Sequence, residues 1–179
     1  MPTIYTHGIV GLGMGKMFAS RKLPWLFWAF AFLLPMVPDL DCFSSAPYGS
    51  IWGHRGFSHS LLFALAAAVV TAALTFRRFA ISFWDLWGFF FVITASHGVL
   101  DAFTNGGFGI PFFWPIDNTR YGLWGPIQVS DIGFEIPNFR TSRTVYTELL
   151  YVWLPTGALV LLVWLARWLR ARTQETRTV

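Results

Sequence analysis

The sequence predicts an all-α fold: a polytopic membrane bundle of about five helices, forming a single integral membrane domain over residues 1–179. Three observations predict it. The chain is 55% hydrophobic and 12% charged, with 19 Phe and 10 Trp, more apolar than an average soluble domain. Long apolar runs recur at 23–38, 60–76, 81–103 and 145–168, and about 20 apolar residues carry a helix across the hydrocarbon core. Most basic residues fall in alternate breaks between the runs, as they do when such loops stay in the cytoplasm.

Taken in order, 4–18 is the weakest segment because it is rich in glycine, yet Gly11 and Gly15 form a small-xxx-small face for close packing on a second helix. Run 23–38 is short and must borrow flanking residues to span. Residues 21–46 imitate a charged and then apolar signal segment. Cleavage there would discard His7, Asp39 and Asp41, so the segment is expected to be retained. Run 60–76 ends at Arg77-Arg78 and has Ser58 as its expected N-cap. Run 81–103 is interrupted by Asp85, His97 and Asp101, whereas 145–168 is the longest and cleanest span. The outer loop 104–143 carries Phe112, Phe113, Trp114, Trp124, Phe134 and Phe139 among four prolines. A loop of that length is functional or disordered, and its rings favour the membrane interface. It reads as a lid or acyl-chain guide, with an interfacial plug as the alternative.

Charge sets the orientation. With five helices, Lys16, Arg21, Lys22, Arg77, Arg78, Arg167, Arg170, Arg172 and Arg177 share one side, expected to be cytoplasmic together with the C-terminus. Arg55, Arg120, Arg140 and Arg143 take the other. The same topology brings His7, Asp39, Asp41, His54, His59, His97 and Asp101 to the extracytoplasmic face, although none of them entered the charge count. Ionisable groups at membrane depth are expensive and mark function, and imidazoles mixed with carboxylates are the donor set of a zinc-like ion. Each patch has a plainer reading. His97 and Asp101, spaced i, i+4, can be a simple pair. Asp39 and Asp41 alternate across a non-helical turn, so only one is expected to point inward. His7 can face headgroups, and Arg55 can be a snorkelling anchor.

The patches Thr6-His7, Asp39-Leu40-Asp41, His54-Arg55-Gly56-Phe57-Ser58-His59-Ser60 and His97-Gly98-Val99-Leu100-Asp101 resemble the family of bacterial inner-membrane metal-dependent hydrolases whose LexA-binding members gave it its name. The resemblance covers about residues 1–115, ending past Phe113-Trp114-Pro115. Its specific part is the motif from His54 to Ser60. A more distant likeness is to zinc-dependent phospholipase C and the P1-type nucleases. It implies one ion on Asp39 or Asp41, His59, His97 and Asp101, and a second on His7 sharing Asp101, with His54 as a further donor. Those enzymes add a His and a Glu downstream. Here no histidine follows His97, and the nearby acids are Asp117, Asp131, Glu135 and Glu148, so one or two ions are expected, zinc first and manganese as the alternative.

The function expected is a membrane-embedded metal-dependent hydrolase acting on a phosphate ester or lipid-linked phosphate through metal-activated water. Bound zinc lowers the pKa of its water to about 7. Of Asp39 and Asp41, the one that is not a ligand is the expected general base, and the planar fork of Arg55 matches a phosphate oxyanion. The partner is a membrane lipid or lipid-linked substrate. No basic run interleaves with aromatics, so no nucleic acid is expected. Cys42 is the lone cysteine and forms no internal disulfide. No Gly-x-Ser-x-Gly stands in the chain, which argues against a covalent serine. Two other classes stay open. A metal or proton translocator would need a path continued through the inner half, where only Asp85 stands. A bis-histidine haem protein would need none of the carboxylates.

Overall fold

The computed structural model describes residues 2–128 and 143–175, and these are helical apart from turns, loops and two isolated β-bridges. Helix α1 spans Ile4–Phe18 and α2 spans Trp25–Leu33, which tightens into a 3-10 segment at Leu34–Phe43. Helix α3 spans Leu61–Phe79 and α4 spans Phe83–Ala102. After the second loop, α5 (Arg143–Glu148), a π turn (Leu149–Trp153) and α6 (Leu154–Glu175) run on as one rod.

Four helical segments are long and apolar enough to cross a membrane: Trp25–Phe43, Leu61–Phe79, Phe83–Ala102 and Arg143–Gln174. The short second run reaches spanning length by recruiting its 3-10 segment. Pro35 and Pro38 remove backbone donors from that stretch, which explains why the α-helix does not simply continue. The expected non-helical turn at Asp39 and Asp41 is therefore corrected to a 3-10 turn. Residues two apart still diverge there, so Asp39 is buried and Asp41 is partly exposed. Helix α1, with 15 residues, is about 22 Å long and too short to cross alone. It survives as an inner helix because its glycines admit neighbours. A Cβ on Gly11 would collide with the Ala31 carbonyl of α2, and one on Gly13 would strike Thr156 of α6.

The apolar core lies between α2, α3 and α4. Phe27 is fully buried, stacked on Phe89 at 5.2 Å and edge-on to Phe79 at 5.7 Å. Ala68 and Ala72 give α3 a small face that lets α4 approach. At the end of the bundle where α1 finishes, Arg21 donates to the carbonyls of Phe79 and Ala80, and Arg167 donates to those of Lys16, Met17 and Ala19. These cations stop the exposed C-terminal carbonyls of α3 and α1. At the opposite end, the start of α1, the 3-10 end of α2, the start of α3, the end of α4 and the start of the rod meet beneath two loops.

Candidate metal centre

Four side chains converge at that end, delivered by three local devices. Asp39 comes from the 3-10 segment. His59 comes from a short 3-10 turn, Phe57–His59, just before α3. His97 and Asp101 lie one turn apart on the buried face of α4. The N-cap of α3 is Ser60, which accepts from the Phe63 amide at 3.1 Å. This corrects the expectation of Ser58, whose hydroxyl instead donates to Asp41 Oδ2 at 2.5 Å.

All four donors are buried, and one ligand atom from each lies within 4.8 Å of the others. His97 Nε2 stands 3.0 Å from His59 Nε2, 3.4 Å from Asp39 Oδ1 and 3.9 Å from Asp101 Oδ2. His59 Nε2 stands 3.7 Å from Asp39 Oδ1 and 3.5 Å from Asp101 Oδ2. A tetrahedral ion with ligand bonds near 2.0–2.1 Å separates its ligands by about 3.3 Å, so these spacings suit a zinc-class ion. The protonation pattern fits as well. His97 Nδ1 faces the Pro35 carbonyl at 2.8 Å, which can only accept, so Nδ1 carries the proton and Nε2 turns a lone pair to the centre. His59 Nδ1 lies 3.2 Å from Asp41 Oδ2, which orients that ring in the same sense.

Unmatched polarity points the same way. Both oxygens of Asp39, both oxygens of Asp101 and both nitrogens of His7 are buried without a hydrogen-bond partner, a costly state in protein or lipid. Burial pushes the His59 imidazole down, but Asp101, Asp39 and Asp41 outweigh it and hold its pKa well above the ordinary histidine range. The cluster is an anionic cage that accepts positive charge, and a divalent cation matches its donors.

The remaining predicted residues take different places. His7 lies outside the four-donor group. It stacks on His97 with ring centroids 3.9 Å apart and faces Asp101 Oδ1 at 3.5 Å. His54 pairs with Asp41 Oδ1 at 2.7 Å, away from the four-donor centre. Asp41, His54 and His59 form a second, more open cluster that can also hold an ion. The expected general base is whichever of Asp39 and Asp41 is not a ligand, and Asp41 stands outside the four-donor group with Oδ1 paired to His54 and Oδ2 to Ser58 and His59. Asp39 is the acid that faces the centre. Arg55 is no snorkelling anchor, being only 1% exposed. Its terminal nitrogens donate to the carbonyls of Gly106 and Phe108 and to Thr104 Oγ1, while Nε sits 3.5 Å from Asp101 Oδ2. These contacts leave Nε without a hydrogen-bond partner, and the oxyanion-holding role expected for Arg55 stays an expectation.

The second loop closes over this arrangement. Gly107 adopts φ +87° directly against the Arg55 guanidinium, where a Cβ would meet NH1 at 2.6 Å. The Leu61 amide donates to the Phe112 carbonyl, and Ile110 pairs with Tyr121 in an antiparallel bridge. Exposed apolar side chains project outward from it, with Ile116 at 95%. Phe134, Phe139, Asp131, Glu135 and Arg140 lie outside the described residues. Sequence reasoning gave no role to Arg120, which staples the two loops by donating to the carbonyls of Arg55, Gly109 and Gly49. It named Glu148 only as one of the nearby acids, whereas the residue is fully buried where the rod begins. The signal for Glu148 was available, as a lone acid at the start of the cleanest apolar span.

Comparison with known proteins agrees with the membrane architecture. No solved structure matches the chain. The chain is 33% identical over 174 residues to the inner membrane protein YbcI of Escherichia coli strain K12, covering 93% of this chain and 99% of that one. The family described as YdjM inner membrane protein matches residues 1–173. The chain belongs to that family, and with four helices able to span a bilayer it is a multi-pass protein of the inner membrane.

Proposed function

We propose that this protein is a membrane-embedded metal-dependent hydrolase that cleaves a phosphate ester, most simply a phospholipid or lipid-linked phosphate. The observation that carries the reading is the set Asp39, His59, His97 and Asp101, buried together with both carboxylates lacking a hydrogen-bond partner. Such a donor set suits zinc, with manganese as the alternative. An ion held there supplies Lewis acidity and lowers the pKa of a bound water to about 7. The protein's own groups do the rest. Asp41 orients His59, the Pro35 carbonyl orients His97, and Arg55 Nε stands beside Asp101 Oδ2, the oxygen that faces the two imidazoles. His7, beside the outer oxygen of Asp101, is the donor in reach of a second ion sharing that carboxylate.

The outward rings and aliphatic groups of the two loops support a substrate drawn from the bilayer. In this reading the basic end faces the cytoplasm, as its Arg and Lys residues favour, and the metal centre faces the extracytoplasmic side. Translocation has less support, because every buried ionisable side chain among the described residues gathers at one end of the bundle. Detergent-solubilised protein supplied with phosphodiester and phosphomonoester lipids tests the reading. Turnover abolished by a chelator and restored by zinc or manganese supports it, and turnover indifferent to the chelator contradicts it. A topology reporter after Val179 should report the cytoplasm, and one at Asn118 the opposite side.

A further inference from the structure

We infer that Glu148 is a positioning residue of the metal centre: it braces the first turn of α1 and thereby sets His7 against His97 and Asp101. The inference rests on the metal-centre reading and adds the last membrane rod to its working parts. The starting point is that His7 has no hydrogen bond of its own, although it is wholly buried. Its ring position is inherited from the α1 backbone and from its stack on His97.

That backbone is held by one carboxylate. Glu148 is 0% exposed. Its Oε1 accepts the Thr3 amide at 2.5 Å, and its Oε2 accepts the hydroxyls of Thr3 at 2.7 Å and Thr6 at 2.5 Å. Thr3 is the N-cap of α1 and makes no side-chain cap of its own, so a carboxylate from another helix meets the orphan donor and the positive end of the helix dipole. Thr6 adjoins His7 in sequence, and its hydroxyl also accepts Trp153 Nε1 at 2.8 Å. The π turn at Leu149–Trp153 contributes here, because i→i+5 bonding draws residues five apart, such as Glu148 and Trp153, towards one face. A simple staple between α1 and the rod would not need this acid. The pair is already closed by Gly13 against Thr156 and, at the far end, by Arg167 on two α1 carbonyls and that of the C-cap Ala19.

The test is metal binding by purified full-length protein in detergent, with zinc and cobalt as probes. Wild type should bind cobalt with a visible spectrum set by its ligands. Glu148→Ala should weaken zinc affinity by up to about 10-fold, the low end of what losing a direct outer-shell partner costs, because it acts one step further out, and should change the cobalt spectrum. Glu148→Gln should fall between. Arg167→Gln, which loosens α1 at the other end, should lower thermal stability and leave both readouts unchanged. In a His7→Ala background, Glu148→Gln should produce no further loss, because it acts through His7. Wild-type affinity and spectrum in both Glu148 variants, equal losses in Arg167→Gln, or additive losses in the double variant would each overturn the inference while leaving the metal centre intact. A wild-type protein that binds neither ion would overturn both.

Discussion

At the basic end of the bundle Phe27 is enclosed by the rings of Phe18, Phe79 and Phe89, and no ionisable side chain is buried there among the described residues. At the opposite end His7, Asp39, Arg55, His59, His97, Asp101 and Glu148 are all buried. The backbone changes along with the side chains. The aromatic end is built from regular helices closed by arginines, whereas the polar end uses 3-10 segments, a π turn and two loops stapled by Arg55 and Arg120. Irregular backbone at membrane depth survives only where its polar groups are satisfied by protein, and these two arginines satisfy carbonyls from both loops. The contrast shows how the chain divides its labour: packing holds one end, whereas the other satisfies its loop backbone yet buries Asp39, Asp101 and His7 without hydrogen-bond partners, a cost that only a function explains.

The contrast breaks most severely at Arg55. Replacing it by Ala strips the guanidinium donor from the Phe108 carbonyl, weakens the hold on that of Gly106, and leaves Asp101 facing the cage without its cation. The loss should exceed about 4 kcal/mol, seen as failure to recover folded protein or as a collapsed melting transition in detergent. Recovery of Arg55→Ala at wild-type stability would remove the polar end from the account of the fold. Phe27→Ala comes next, with a cavity cost of about 3 kcal/mol. It should lower the melting temperature yet leave metal content unchanged, since the cluster is built elsewhere. Metal loss in that variant would mean that the two ends are coupled.

Asp41→Asn sharpens the comparison within the polar end. It keeps the shape but weakens the hold on His59 Nδ1, so zinc affinity should fall by about 10–100-fold with little change in stability. A competition titration against a chelator of known affinity decides it. An unchanged affinity would show that Asp41 does not orient the ligand. The smallest effect is expected for Lys22→Gln, an exposed cation at the basic end. Its stability should stay within about 0.5 kcal/mol of wild type, with no change in bound metal.

Much of this architecture was legible in the residues. The apolar runs located all four spanning segments, and the side-chain types of His59, His97 and Asp101 announced a donor set before any distance was known. The placement of His7, Asp39, His59, His97 and Asp101 at one end followed from counting helices. Detail was lost where long-range geometry decides. Nothing local says that Asp39 faces the centre while Asp41 turns to His54, because that depends on a 3-10 register imposed by two prolines. Ser58 looked like a cap and proved to be a hydrogen-bond partner of Asp41, since the cap moved two residues on to Ser60. Arg55 had the right chemistry for an oxyanion, but its burial against loop carbonyls some 50 residues away is written in no local pattern. The partners of Glu148 lie about 145 residues distant, beyond any periodicity.

The central claim is that Asp39, His59, His97 and Asp101 bind a metal ion, and elemental analysis of the purified protein tests it most directly. Wild type should carry close to one zinc-class ion per chain after exhaustive dialysis, whereas His59→Ala, His97→Ala and Asp101→Ala should each carry almost none while still inserting into the membrane. Metal content that is the same in wild type and in all three variants, or absent from every one of them, would contradict it.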